Sequence, residues 1–384
     1  MLRIMPVFGT RPEAIKMAPL IKVLEKCDEI QTITTVTAQH REMLDQVLNL
    51  FNIKPTYDLN IMAPEQTLTQ ITVKVLQRIE SIIKKEKPDL ILVHGDTSTT
   101  FVSSLAAFYH QIPVGHVEAG LRTYNKYSPY PEEMNRKLTG CMADLHFAPT
   151  RMAKDALLKE GIKQESIVIT GNTVIDALLQ TVNKDYIFKD DTLKKLDVHN
   201  KKIILVTAHR RENLGERMQN IFLAIKEIVE NNPDIEVVLP VHLNPVVQQA
   251  VHEVLAGVER VRLISPLEYE EFVNLMDRCY LVLTDSGGLQ EEAPTLGKPV
   301  LVLRDTTERP EAVEAGTVKL VGTDRDKIVR ETTTLITKPT EYQKMAEAVN
   351  PYGDGKAAER ILQAILYHFK LTDQPAKEFG KELR

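Results

Sequence analysis

Short runs of apolar, mostly β-branched residues alternate along the chain with longer segments whose apolar positions follow a helical period. The short runs lack strict alternation of apolar and polar residues, which is typical of strands buried on both faces of a parallel sheet. They predict two groups of about six strands: Arg3–Phe8, Thr32–Thr37, Leu90–His94, Val114–Val117, Leu145–Ala148 and Ile167–Thr170, then Ile203–Ala208, Glu236–Val241, Val261–Ile264, Leu281–Thr284, Val300–Leu303 and Val318–Val321.

Amphipathic segments between these strands predict helices, for example Pro12–Lys26, Leu68–Lys87, Met218–Asn231 and Pro245–Leu255. Strands that alternate with helices form parallel sheets with helices on both faces. The sequence therefore predicts an α/β fold with two doubly wound, Rossmann-like domains that face each other across a cleft. In such folds ligands bind beyond the carboxyl ends of the strands, so the loops that follow strands are the places to search.

The polar stretch Asn183–Lys202 separates the two groups of strands. We place the N-terminal domain at residues 1–171 and the C-terminal domain at 172–363. The last helical pattern is Gly355–Phe369, and a charged tail, Lys370–Arg384, follows it. We expect a C-terminal helix, assigned to residues 364–384 in this division, to pack back on the first domain.

The composition excludes several classes of protein. The 384 residues are 43% hydrophobic and 26% charged, which is typical of a globular protein of two domains. The formal net charge of −5 argues against a general nucleic-acid-binding protein. Cys27, Cys141 and Cys279 match no zinc or disulfide spacing, which favours a reduced, cytoplasmic protein. No apolar stretch has the length of a membrane span, the N-terminus lacks signal-peptide features, and no metal-ligand spacing is visible.

Two loops of the first half carry basic and acidic candidates. Arg11 and Lys16 lie where a strand turns into a helix, so they either bind an anion at the helix N-terminus or form a salt bridge on a solvated surface. Asp96 follows the strand Leu90–His94 and either caps the next helix or takes part in chemistry. Sequence reasoning leaves both alternatives open.

Two further carboxylates lie downstream. Glu118 ends a strand two residues before Gly120, an unusual place for a carboxylate that only decorates the surface. Glu132 enters a helix, where the helix dipole favours a negative charge whatever the function.

The second half offers a histidine and a phosphate cradle. His209 ends a strand and precedes two arginines, so it is either a partner for a diphosphate or a proton, or a structural histidine bonded to a backbone carbonyl. Ser286, Gly287 and Gly288 lie between a buried strand and a helix, where backbone N–H groups and a hydroxyl can bind one phosphate. Glu292 lies one turn into that helix, where its carboxylate could accept both hydroxyls of a ribose.

Taken together, motifs along nearly the whole chain resemble, in the same order, those of the non-hydrolysing bacterial UDP-N-acetylglucosamine 2-epimerases: Phe8–Leu20, His94–Thr97, His116–Thr123, Ser128–Arg136, Gly171–Ala177, Thr207–Glu212, Asp285–Pro294 and Arg304–Glu311. The resemblance implies a GT-B-like fold and a homodimer. It implies reversible interconversion of UDP-GlcNAc and UDP-ManNAc, which would supply ManNAc for surface polysaccharides. The resemblance also implies that UDP is eliminated to give 2-acetamidoglucal and is then added back, so neither a metal nor another cofactor is expected.

The resemblance also implies roles for individual residues. The acid/base candidates are Asp96, Glu118 and Glu132, and the base that removes the C2 proton stays unassigned among them. His209 is implied to be catalytic as well, because it would contact the diphosphate and support catalysis. The resemblance also implies these substrate-binding residues: Arg11 and Lys16 at the catalytic cleft, Ser286, Gly287 and Gly288 at the phosphate, Glu292 at the ribose, Phe272 at the uracil, and Arg309 from the second domain.

One departure from the family concerns activation by a second UDP-GlcNAc. Gln39 fits the allosteric site of such members, but Glu42 and Glu65 stand where they tend to carry Gln and Arg. Because added carboxylates repel a diphosphate, we expect weak or absent activation.

Three other functions remain open at this point. The chain could be a GT-B glycosyltransferase that uses UDP-GlcNAc, a hydrolysing epimerase that releases ManNAc and UDP, or a nucleotide-sugar sensor without turnover.

Overall fold

In the computed structural model, strands and helices alternate along two units, the first made of Met1–Leu179 with Tyr352–Arg384 and the second of Gln180–Pro351. The structure describes residues 1–38, 41–63, 65–198 and 200–380, without the side chains of 41 and 42. No helix among these residues combines the length and the apolar character needed to cross a membrane.

The first unit contains an eight-stranded sheet whose paired strands are all parallel, in the order β4-β3-β1-β5-β6-β7-β8, with β2 also paired to β1. Its strands are β1 Leu2–Phe8, β2 Ile30–Thr32, β3 Thr35–Val36, β4 Tyr57–Asp58, β5 Leu90–His94, β6 Val114–Val117, β7 Leu145–Ala148 and β8 Ile167–Ile169. Its helices are α1 Arg11–Glu25, α2 Arg41–Leu50, α3 Leu68–Glu86, α4 Ser98–Tyr109, α5 Glu132–Met142, α6 Arg151–Lys159 and α7 Thr173–Thr181, whose last residues enter the second unit.

The predicted strand Thr32–Thr37 is divided between β2 and β3. The division arises because the carbonyl of Thr34 turns to accept hydrogen bonds from the backbone N–H groups of Thr56 (2.7 Å) and Tyr57 (3.1 Å). The second of these donors belongs to β4, a two-residue strand that has no apolar run and was not predicted.

The second unit contains a six-stranded parallel sheet in the order β11-β10-β9-β12-β13-β14. Its strands are β9 Lys202–Thr207, β10 Ile235–Pro240, β11 Val261–Ile264, β12 Leu281–Thr284, β13 Val300–Val302 and β14 Val318–Leu320. Its helices are α8 Glu216–Asn231, α9 Pro245–Leu255, α10 Tyr269–Arg278, α11 Leu289–Thr295, α12 Pro310–Glu314, α13 Arg325–Thr337 and α14 Pro339–Ala346. The prediction of two doubly wound parallel sheets is confirmed.

The unit boundaries differ from the predicted 171/172 and 363/364. Asp176 on α7 accepts hydrogen bonds from the backbone N–H groups of Ala357 (3.2 Å) and Ala358 (2.8 Å). These bonds join α7 to the start of the last helix, α15 Ala357–His368, so the chain returns to the first unit at Tyr352.

Among the described residues, the helix expected over 364–384 is present only in the first part of that range, at 364–368. The helix α15 ends at His368, and Lys370 then takes a left-handed conformation with a φ of 59°. The helix packs against α1, while the tail after it is held by an ion pair between Glu378 Oε1 and Lys154 Nζ at 2.8 Å. The described part of this tail, 370–380, therefore lies on the first unit as an irregular segment.

Candidate active site

Glu13 is a buried carboxylate that joins two loops of the first unit. Its Oε2 atom accepts hydrogen bonds from the backbone N–H groups of Gly9 (3.1 Å) and Thr10 (2.8 Å), in the loop after β1. Its Oε1 atom accepts a hydrogen bond from the hydroxyl of Thr97 (2.7 Å), in the loop after β5. Burial raises the pKa of Glu13, and these hydrogen bonds oppose that change. The two strand-end loops are thereby fixed to each other.

Asp96 lies in the second of these loops and pairs with a cation. The N-cap of α4 is Thr97, whose hydroxyl accepts from the backbone N–H of Thr100 at 3.2 Å, so the interpretation of Asp96 as the cap is wrong. The carboxylate of Asp96 instead forms a salt bridge with Arg136 on α5. The side-chain amide of Asn135 holds the Asp96 carbonyl at 2.9 Å. Asp96 is therefore presented as an oriented, charge-paired carboxylate.

Glu118 lies directly after β6, the neighbour of β5, in a left-handed conformation with a φ of 60°. Such a conformation is uncommon for a residue other than glycine and is concentrated at functional sites. Its Oε2 atom forms a salt bridge with Lys16 and accepts a hydrogen bond from the Asn172 side chain at 2.8 Å. His94 Nε2 lies 3.8 Å from the same oxygen. The structure thus brings together two predicted residues, Glu118 and Lys16. It adds two residues that were not predicted, Asn172 and His94.

His94 is one of these additional residues. Burial lowers its pKa to about 4, although the charge of Glu118 raises it. His94 is therefore neutral near pH 7 and does not cancel the charge of Glu118. Its position at the end of β5, two residues before Asp96, is the signal that could have identified it.

Two other predicted residues stand at helix starts. Arg11 is the first residue of α1 and Glu132 the first residue of α5. Neither side chain takes part in a hydrogen bond or ion pair with another described residue. Both groups can therefore engage a ligand without first breaking an internal contact.

In the second unit, His209 faces a buried carboxylate. Its Nδ1 atom lies 3.5 Å from Asp285 Oδ1, rather than against a backbone carbonyl as the structural alternative supposed. Burial lowers the pKa of His209, and the charge of Asp285 opposes this change. The ring stacks on His242 with a centroid distance of 5.2 Å, a contact that sequence reasoning missed.

The loop between β12 and α11 brings Ser286, Gly288 and Glu292 together. A Cβ atom on Gly288 would lie 3.6 Å from Glu292 Oε2 and 4.0 Å from Ser286 Oγ. The hydroxyl of Tyr269 donates a hydrogen bond to Glu292 Oε1 at 3.2 Å. A Cβ atom on Gly287 would lie 3.7 Å from a guanidinium nitrogen of Arg210, so a cation borders the predicted phosphate cradle.

The second unit carries two further predicted residues, Phe272 and Arg309. Phe272 is half-buried on α10, and Arg309 forms a salt bridge with Glu291 on α11. The proposed allosteric residue Gln39 lies outside the described residues, as does the side chain of Glu42. In the residues that are described, no group of His, Cys, Asp and Glu is arranged to hold a metal ion.

With the geometry established, comparison with known proteins gives the family. A sequence model described as UDP-N-acetylglucosamine 2-epimerase matches residues 22–366. The chain belongs to the UDP-N-acetylglucosamine 2-epimerase family.

Members of this family resemble the chain over its whole length. The UDP-N-acetylglucosamine 2-epimerase of Bacillus subtilis is 60% identical over 382 residues, which cover 99% of each chain. An S. aureus structure with UDP has a TM-score of 0.88 and 54% identity, and covers 99% of this chain and 100% of its own. The Neisseria meningitidis UDP-GlcNAc 2-epimerase bound to UDP-GlcNAc has a TM-score of 0.84 and 54% identity, and covers 95% and 100%. The GT-B-like class expected from the resemblance is confirmed.

Proposed function

We propose that the chain interconverts UDP-GlcNAc and UDP-ManNAc without releasing free ManNAc. The base removes the proton from C2 while the C1–O bond breaks and UDP leaves with the electron pair, so a C1=C2 double bond forms. UDP then adds back to C1 as a proton is delivered to the other face of C2. The products of one turnover are isomers, and no oxidant or reductant is consumed.

The observation that carries this proposal is the pair of carboxylates at neighbouring strand ends. Asp96 and Glu118 follow β5 and β6, which pair directly in the sheet. Each forms a salt bridge with its own cation, Arg136 and Lys16 respectively, which orients the carboxylate. These two carboxylates, with Glu132 as a third candidate, supply the base and proton carriers that the two half-reactions need.

The second unit supplies groups suited to a uridine diphosphate. We assign the diphosphate to His209, which also supports catalysis, and to the Ser286–Gly288 cradle, with the cation of Arg210 beside it. Charge that develops on a departing diphosphate is stabilised by such preorganised donors and cations. We assign the ribose to Glu292 and the uracil to Phe272, and these roles follow from the family resemblance. The relatives solved with UDP and with UDP-GlcNAc support the same class of ligand.

A single incubation distinguishes the proposed function from the three alternative functions. Purified protein receives UDP-GlcNAc alone, and nucleotides and sugars are resolved by anion exchange. We expect UDP-ManNAc to accumulate to a fixed ratio with UDP-GlcNAc, without acceptor and without a matching rise of free UDP. Equal amounts of free UDP and ManNAc would instead identify a hydrolysing enzyme. A requirement for an acceptor would identify a glycosyltransferase, and binding without any turnover would identify a sensor.

Further parts of the proposal rest on the resemblance alone: a homodimer, supply of ManNAc to surface polysaccharides, and a cytoplasmic reaction. We also expect a hyperbolic response to UDP-GlcNAc, because Glu42 and Glu65 add negative charge near the allosteric position. Turnover of UDP-ManNAc should then need no added UDP-GlcNAc. A sigmoidal response that requires UDP-GlcNAc would contradict this expectation.

A further inference from the structure

The loop after β9 is built around the side chain of Asp285, which is fully buried. The Asp285 Oδ2 atom accepts hydrogen bonds from the backbone N–H groups of His209 (2.9 Å) and Arg210 (2.8 Å). It also accepts one from the Asn213 side-chain nitrogen at 3.1 Å. The same nitrogen donates to the carbonyl of Leu303 at 3.1 Å, so two acceptors fix the orientation of the Asn213 amide. Three donors therefore determine which carboxylate oxygen faces the loop.

The other carboxylate oxygen faces His209. Among the described residues, Asp285 Oδ1 is buried and accepts no hydrogen bond of ordinary geometry, while His209 Nδ1 lies 3.5 Å from it. Hydrogen bonds of catalytic groups are often this long before substrate binds. A buried carboxylate oxygen can only accept, so the favourable partner is a protonated Nδ1. The second ring nitrogen, Nε2, then carries the lone pair, or the second proton when the imidazole is charged.

We infer that Asp285 is a positioning residue, which holds His209 with Nδ1 protonated and leaves Nε2 as the nitrogen available to the substrate. This inference rests on the proposed function for the role of His209 in catalysis. It does not depend on that function for the tautomer of the ring. Hydrogen bonding by one ring nitrogen commonly determines the state of the other.

The other groups near the ring do not select this tautomer. The His242 ring stacks on His209, and its own Nδ1 accepts a hydrogen bond from the backbone N–H of Asn244 at 3.1 Å. The guanidinium of Arg210 acts on His209 through its charge and lowers the pKa of the imidazole, as does His242. Asp285 is the neighbouring group whose charge raises that pKa. Among these neighbours, the carboxylate is the group positioned to accept a proton from Nδ1.

The substitution Asp285→Asn distinguishes two functions of the carboxylate, which are to hold the loop and to orient the proton on His209. The three donors at Oδ2 demand an oxygen, so the new amide should keep its oxygen there and turn its NH₂ group towards His209. An NH₂ group donates, which favours a bare Nδ1 and a protonated Nε2. The loop should therefore keep its conformation while the tautomer of His209 reverses. Asp234→Asn is the matched control, because the side chain of Asp234, in the same unit, forms an exposed ion pair with Lys202 at 3.3 Å.

The test is two-bond ¹⁵N–¹H correlation on the full-length protein labelled at its ten histidines, with the His209 signals assigned through their loss in His209→Asn. In the wild type, above the pKa of the ring, we expect Nδ1 to be protonated and Nε2 bare. Asp285→Asn should give the reverse and lower the pKa of His209, and the control should match the wild type. Epimerase kcat should fall by about 10²–10³-fold in Asp285→Asn, with KM changed less than about threefold.

A wild-type spectrum with Nε2 protonated would overturn the inference, even if Asp285→Asn does not fold. An unchanged tautomer and kcat in a folded Asp285→Asn protein would also overturn it. If His209→Asn keeps full activity while the wild-type tautomer is as expected, the catalytic role of His209 fails and the positioning by Asp285 stands.

Discussion

Substitutions of Glu13 test whether the two loops that it joins need a hydrogen-bond acceptor at this position or a negative charge. In Glu13→Ala, the backbone N–H groups of Gly9 and Thr10 lose their buried acceptor. Each stranded buried donor costs about 1–3 kcal/mol, so the free energy of unfolding should fall by about 2–6 kcal/mol. In the wild type, the hydroxyls of Thr97 and Thr100 donate to the other carboxylate oxygen of Glu13. In Glu13→Gln, the amide oxygen can still accept from both N–H groups, and the NH₂ group can donate to these two hydroxyls.

Glu13→Gln also removes the cost of burying a carboxylate, which is the main cause of the raised pKa of Glu13. The Gln variant should therefore unfold within about 1 kcal/mol of the wild type. The assay is guanidinium unfolding followed by circular dichroism, with epimerase kcat measured on the folded proteins. Because Glu13 joins the loops that carry Arg11 and Asp96, the Ala variant should lose activity and the Gln variant should retain it. A loss below about 1 kcal/mol in Glu13→Ala would refute the reasoning.

Three other predictions follow from single contacts. Glu118→Gln should lower kcat by at least about 10²-fold and leave UDP binding by calorimetry unchanged, and full turnover would exclude Glu118 as an acid or base. Gly120→Ala should destabilise the protein by more than about 3 kcal/mol in chemical unfolding, because the new Cβ would lie 2.2 Å from the carbonyl oxygen of Ala153 and the φ is +96°. Gly161→Ala, with a φ of +83° and no atom within 4 Å, should cost only about 1 kcal/mol, and equal losses would contradict the steric argument. Burial lowers the pKa of His116 from 6.5 to about 3, so the unfolded chain takes up a proton that the folded chain does not, and stability should fall as pH drops from 6.5 towards 3. In urea titrations at several pH values, His116→Gln should reduce this dependence of stability on pH. An unchanged dependence would mean that other groups cause it.

The parts of the fold that sequence predicted well are those that local pattern determines. The strands β5, β6, β7, β11 and β12 have the predicted bounds, because each is a short segment rich in apolar residues. The strand β4 was missed because two residues carry no pattern, and its pairing depends on the carbonyl of Thr34, which is distant in the chain. Long-range hydrogen bonds of this kind leave no periodic signal.

For the candidate site, the sequence identified candidate residues but not their contacts. Asp96, Glu118 and His209 were identified because each follows a predicted strand. Their partners could not be predicted, because the salt bridge between Arg136 and Asp96 joins residues 40 positions apart. The hydrogen bond from Asn172 to Glu118 spans 54 positions. Only the paired order of the strands brings such residues together, so their roles required the structure.

The claim that a carboxylate removes and returns a hydrogen at C2 of the hexosamine is tested most directly by proton NMR of UDP-GlcNAc with the enzyme in heavy water. The account predicts that UDP-ManNAc carries deuterium at C2 from the earliest times, and that the C2 proton signal of UDP-GlcNAc then decays as the reaction reverses. UDP-ManNAc that retains the original hydrogen at C2 would contradict the account.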